Sequence, residues 1–246
     1  MNEYKNEIFE YLEFGSEAII QNLSFNKCTF YDCRLSFRRN SAPEERTLLE
    51  NLIFTNCTFN ARGCSQSKIY LKNIHLENIK SPNDLLRITS TIFNKVKLKG
   101  KFDRISLSSN YDGMVYVDED DQIVDVNENE VLILNQYTEN EYKNIEWALD
   151  ISEAEFKECD VHASIPANLI KRNPETQLLL KYDKVVNSKW KNIPNIQNSF
   201  TEFFCQIVLK AKKDRVIVAS VRNKKDFEKE LEAIKILREE GIGELD

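Results

Sequence analysis

Six cysteines and two histidines are the residues of this 246-residue chain that could serve as nucleophiles, imidazole bases or soft metal ligands. Cys28 and Cys33 lie five positions apart, whereas a structural zinc site takes two close Cys or His pairs. Neither Cys57 nor His75 supplies a tight second pair, so the thiols are expected to be free and buried as small hydrophobes. Cys64, in the polar stretch "NARGCSQSK", is the thiol expected to meet a reagent first. Cys159 and His162 are near enough in sequence to raise a thiol–imidazole pair. That pair needs an orienting third group and an oxyanion hole, and no residue offers itself for either role. Asp160, His162 and Glu175 are the candidates for a metal-dependent hydrolase or nuclease-like enzyme centred on 150–246. The E-x-K ending of many metal nucleases is, however, replaced by Glu175-Thr-Gln177. The six glycines form no G-x-S-x-G, Walker A or G-x-G-x-x-G motif. "DEDDQIVDVNENE" fails as a calcium loop, because Ile123 stands where glycine is needed and Asn129 closes the twelve-residue frame. No catalytic residue, cofactor or metal ligand is assigned, and a non-enzymatic protein is expected.

Charge is the stronger signal. Residues 111–160 hold sixteen Asp and Glu against Lys143 and Lys157, a balance of −14 in a chain whose total is −6. Asp118, Glu119, Asp120, Asp121, Asp125, Glu128 and Glu130 form the densest part and are the candidate surface for a protein partner with a basic face. An inhibitor, immunity or protective protein that covers a basic site would use such a segment for steered association. In "NKVKLKGKFDR", Lys95, Lys97, Lys99 and Lys101 alternate outward while Val96 and Leu98 face in. This ladder is the candidate for nucleic acid, but no aromatic residues interleave with it for base stacking. It could equally face the chain's own acidic segment.

The elements that must position these charges follow a five-residue register. It runs through "LSFNK", "CTFYD" and "CRLSF", returns as "LIFTN" and "CTFNA", then as "IYLKN" and "IHLEN", and continues as "VKLKG" and "ISLSS". Two inward positions in five suit a chain that winds, each short extended segment lying on one wall. Residues 23–37 and 52–61 resemble the pentapeptide-repeat family, whose members form a right-handed, four-sided parallel β-helix. The likeness extends in degenerate form over about 18–110. It implies inward central residues at Phe25, Phe30, Leu35, Phe54, Phe59, Leu71, Leu76, Phe93 and Leu98, with Cys28, Cys33, Cys57, Ile74 and Val96 inward two positions earlier. Some members of that family resemble duplex DNA in shape and charge and engage type II topoisomerases. "LENLIFTNCTF" also fits a leucine-rich-repeat pattern, and that alternative stays open.

The expected fold is mixed β and α/β: a parallel β-helix-like solenoid over 1–110, an acidic β-rich connection over 111–160 and an α/β lobe over 161–246. Ile8, Phe9 and Leu12 stand at helical spacing and predict a capping helix at the start. Strands are predicted around Val115–Val117, Ile123–Val126 and Val131–Leu134. "AEFKE" and "CDVHA" recover the register with Phe156 and Val161 central. In the lobe, Gln177–Lys181 and Arg215–Val221 predict strands, and Phe200–Ala211 and the stretch ending before Gly241 predict helices. The acidic start "MNEYKNEIFEYLEF" is not a signal peptide and no long apolar run occurs, so a cytoplasmic protein without membrane contact is expected.

Overall fold

The computed structural model describes residues 1–12, 18–33, 46–60, 65–66, 69–82, 85–110, 116–117, 123–124, 128–193 and 200–244. The first half is strands: β1 (Asn2–Lys5), β2 (Ile8–Glu10), β3 (Ile19–Asn26), β4 (Thr29–Tyr31), β5 (Thr47–Thr55), β6 (Thr58–Asn60), β7 (Ser65–Gln66), β8 (Ile69–Glu77), β9 (Leu86–Ile88) and β10 (Ile92–Leu107). A short pair, β11 (Tyr116–Val117) and β12 (Ile123–Val124), precedes helix α1 (Glu128–Tyr142) and strand β13 (Leu149–Val161). The remainder comprises β14 (Ile170–Lys171), β15 (Gln177–Leu180), α2 (Tyr182–Asn187), α3 (Phe200–Ala211), β16 (Arg215–Val218), α4 (Lys224–Glu239) and β17 (Gly243–Glu244).

The fold is mixed β and α, dominated by parallel sheet. The main sheet runs β1-β3-β5-β8-β10-β13-β14, with β7 and β9 beside it, and a second parallel sheet runs β2-β4-β6. Strand follows strand in register, Leu23 beside Leu52, Leu52 beside Ile74 and Ile74 beside Val96. The five-residue spacing in the sequence has a backbone cause. Residues in the left-handed region recur every fifth position, at 6 and 11, at 22, 27 and 32, at 51 and 56, at 73 and 78, and at 95 and 100. Each turns the chain by a corner, and at several the backbone amide bonds the following strand, as Asn56 N donates to Glu77 O at 2.8 Å and Asn78 N to Lys99 O at 3.0 Å. Asparagine tolerates this conformation better than most side chains, and six of these corners carry it. Their amides also link neighbouring strands. Asn73 Nδ2 donates to Asn51 Oδ1 at 3.2 Å, and Asn51 Nδ2 to Asn22 Oδ1 at 3.1 Å.

Between corners, the central residues point into one core. Phe25, Phe30, Phe54, Leu71, Leu76, Phe93 and Leu98 are buried there, as are Cys28, Cys33, Cys57, Ile74 and Val96. Phe59 packs against this core half-buried, and Leu35 lies outside the described residues. At the β1 end the core is aromatic. Tyr4, Phe25 and Phe54 stack in one column at 5.3 and 4.8 Å, and Phe9, Phe30 and Phe59 in another at 5.1 and 4.9 Å. Edge-to-face contacts join the columns, such as Phe25 to Phe30 at 5.4 Å. Each aromatic pair contributes about 0.5–1.5 kcal/mol beyond its buried area. Phe156 and Val161 on β13 are buried in the same core.

Two sequence expectations are overturned. The capping helix at the start is instead β1 and β2, because left-handed corners at Asn6 and Tyr11 make the intervening Ile8–Glu10 extended and Phe9 stacks on Phe30. Val131–Leu134 is part of helix α1, not a strand. The run "VLIL" is too short to distinguish the two. What decides it is a stripe at four-residue spacing, Leu134, Thr138 and Tyr142, that faces the protein and is buried.

The last part forms a second core. Strand β15 lies between β16 and β17, antiparallel to both. Leu178, Leu180, Val208, Ile217, Ile234 and Leu237 pack between this sheet and helices α3 and α4. Asn223 caps α4 by accepting from Asp226 N at 2.9 Å, and Gly241, at φ 67°, turns the chain after it. This sheet seats on β13, where Val221 N donates to Phe156 O at 2.8 Å and Gln177 Nε2 to Ile151 O at 2.9 Å. No helix among the described residues is long and apolar enough to cross a membrane.

Candidate functional site

The acidic segment divides in two. From residue 139 onward five of its eight carboxylates pair with cations of this chain. Glu139 pairs with Lys213 at 2.9 Å, Glu146 with Lys95 at 3.1 Å, Glu158 with Arg104 at 2.9 Å, and Asp160 with Arg215. Before that point no cation is near in sequence, since residues 105–142 contain no Lys, Arg or His. Within this stretch β11 and β12 pair antiparallel, Tyr116 beside Val124, as a two-stranded sheet separate from the other three. Asp118, Glu119, Asp120 and Asp121 fall in the connection between these strands. They and Asp125 lie outside the described residues. Glu128 and Glu130 begin α1, where acids suit the positive end of the helix dipole.

The lysine ladder is zipped to β13. Register places Lys97 beside Asp150 and Lys99 beside Glu153. Glu153 bonds Lys97 closely and also meets Lys99 at 3.6 Å. The side-chain hydrogen bond raises the Lys97 titration and lowers that of Glu153. Only Lys101, of the four, has no ion pair among the described residues, while its backbone N–H donates to Asn78 Oδ1 at 3.0 Å. A phosphate at the ladder therefore has to displace Glu146 and Glu153.

The residues considered for catalysis hold structural positions. Asp160 binds the buried Arg215, which also lies over the Phe204 ring with 5.0 Å to its centroid. His162 Nε2 is 3.7 Å from Asp160 Oδ2. Burial pushes the Cys159 thiol up, away from the thiolate a nucleophile needs. Glu175 lies at the turn before β15, its backbone N–H bonded to Asn173 Oδ1 at 2.8 Å. Among the described residues no three His, Cys, Asp or Glu side chains gather closely enough to hold a metal ion. Cys64 lies outside the described residues.

One cavity, of about 290 Å³, opens within the aromatic core at the β1 end, between Tyr4, Phe9, Leu12, Leu23 and Phe59. Its lining is apolar apart from the Tyr4 phenol and the Cys33 thiol, and burial pushes that thiol up, away from the thiolate a nucleophile needs.

Two features had no reading in the sequence. The asparagine corners are one, although Asn at 51, 56, 73 and 78 already carried the spacing. Arg46 is the other. It is buried, donating to Ser90 O at 2.5 Å and Thr138 Oγ1 at 3.1 Å, with Tyr137 5.7 Å beneath it. Desolvation lowers its titration to about 10. With Tyr142, whose hydroxyl meets Ser109 Oγ at 2.5 Å and accepts from Phe93 N at 3.2 Å, it ties α1 to the main sheet. No protein-family model, curated protein or solved structure matches this chain.

Proposed function

We propose that this chain is a non-enzymatic protein-interaction module of the inhibitor or immunity type, which recognises a basic protein through the acidic segment around β11 and β12. The observation that carries this reading is the separate β11–β12 pair. It holds the most acidic run at its connection, in a stretch without cations, whereas Glu139, Glu146, Glu153, Glu158 and Asp160 have cationic partners in the chain. The scaffold is read as a degenerate pentapeptide-repeat-like β-helix over about 18–110, followed by an α/β lobe. Left-handed corners at every fifth residue, and strands that repeat 22 residues apart at Asn51, Asn73 and Lys95, support that architecture.

The test is affinity capture of the tagged protein from its host lysate at about 0.1 M and about 1 M salt, over which the Debye length falls from about 10 Å to about 3 Å. A stoichiometric basic protein, held at low salt, released at high salt and absent with Asp118→Asn, Glu119→Gln, Asp120→Asn and Asp121→Asn combined, is the expected result. Equal capture by that folded variant rejects the acidic segment as the recognition surface.

A further inference from the structure

The two ends of the main sheet differ. At one end the sheet of residues 177–244 seats on β13. At the other, β1 pairs only with β3 among the described residues, and nearly every residue from Met1 to Glu10 is exposed. The aromatic columns end there too. Tyr4 is 37 % exposed, and Ile8 and Tyr11 are 64 % and 73 % exposed.

The direction of the β1 backbone follows from two bonds. Asn6 N donates to Asn26 O at 3.0 Å, and Tyr4 O accepts from Cys28 Sγ at 3.5 Å, so Tyr4 and Asn6 present their amides to β3. Successive residues of a strand alternate. Glu3 and Lys5 therefore turn both N–H and C=O to the open side. Their side chains are exposed on the outer face and have no partner among the described residues, while Tyr4 stacks inward on Phe25.

We propose that this edge pairs with the same edge of a second copy, antiparallel about a two-fold axis through Tyr4. Self-complementarity selects this occupant. The axis sets Glu3 opposite Lys5 of the second copy, and Lys5 opposite its Glu3. Both are hydrogen-bonded positions of an antiparallel ladder, so the pairing makes four backbone hydrogen bonds and two opposite-charge contacts. Tyr4 meets its counterpart at the closely spaced non-bonded position. The aromatic column then runs on through the interface as Phe54, Phe25, Tyr4 and the same three residues of the second copy. The same contact covers the end of the apolar cavity that Tyr4 and Phe9 line. The interface is isologous and closes at two subunits, so it does not propagate into fibres. It uses no residue of the acidic segment and stands apart from the proposed recognition of a basic protein.

Sedimentation velocity on the full chain across a wide concentration range is the measurement. A concentration-dependent dimer is expected. Lys5→Glu, which brings four carboxylates together at the axis, weakens it roughly tenfold or more. Glu3→Lys combined with Lys5→Glu restores it, because the pairs are only exchanged. All three proteins should have the same circular dichroism, since both side chains are exposed. A monomer at the highest soluble concentration overturns the proposal and leaves the edge to a different chain. A dimer that ignores Lys5→Glu, or that the double exchange does not restore, places the contact elsewhere and overturns it as well.

Discussion

Replacing Gly100 by alanine tests the corner geometry from which the stack of strands is built. Gly100 sits at φ 75°, five residues after Lys95 and beside Asn78 on the preceding strand. A Cβ added there lies 3.0 Å from Asn78 Cγ and closer still to its Oδ1. That oxygen accepts from Lys101 N at 3.0 Å, and the same amide donates to Asn56 Oδ1 at 3.2 Å, so moving it breaks a line of bonds joining three strands. The left-handed backbone costs alanine about 1–2 kcal/mol. The lost hydrogen bond adds about 1 kcal/mol. The stiffer unfolded chain returns about 0.5 kcal/mol. The net loss is about 2 kcal/mol, which in a chain of this size lowers Tm by about 4–8 °C. Lys95→Asn, at the preceding corner, runs the other way. It relieves the strain of a left-handed lysine and gives up only an exposed pair with Glu146, so it stabilises by about 0.5 kcal/mol. Urea denaturation and calorimetry of both variants make the comparison. Equal stability of the wild type and Gly100→Ala refutes the reasoning, as does a loss on Lys95→Asn of similar size to that expected for Gly100→Ala.

Asp160→Asn leaves the buried Arg215 guanidinium without its carboxylate and should lower stability by about 1–3 kcal/mol, seen as a fall in the urea midpoint; an unchanged midpoint removes the structural role assigned to Asp160. Burial raises the Cys57 thiol from 9.0 to about 11 and the Cys205 thiol from 9.0 to about 12. Between these values the unfolded chain has released protons that the folded chain keeps. The thiols' contribution is therefore complete below about pH 9 and is lost as pH rises toward 11 and 12, with a slope of about 1.4 kcal/mol per pH unit for each group. Urea midpoints at pH 8, 9.5 and 10.5 should decline less steeply in Cys57→Ala than in the wild type, and parallel declines reject the assignment.

What the sequence by itself determined was periodicity. A corner every fifth residue needs two inward side chains between corners, so Phe25, Cys28, Phe30, Phe54, Cys57, Leu98 and Phe156 could be placed inside without any knowledge of neighbours. The helices α3 and α4 were legible for the same reason, each burying one face at helical spacing. Where periodicity was short the tertiary structure decided. "EIFE" became a strand because Phe30 was there to stack on, and "VLIL" became helical because Arg46 and the main sheet offered partners to Thr138 and Tyr142 one and two turns further on. Charge shows the same division. The −14 balance was a property of the sequence, yet Glu146, Glu153 and Glu158 neutralise lysines and arginines some fifty residues away, a distance that only the parallel pairing of β13 on β10 closes. Partners of a charge are chosen by contact in space, whereas the spacing of a corner is written along the chain.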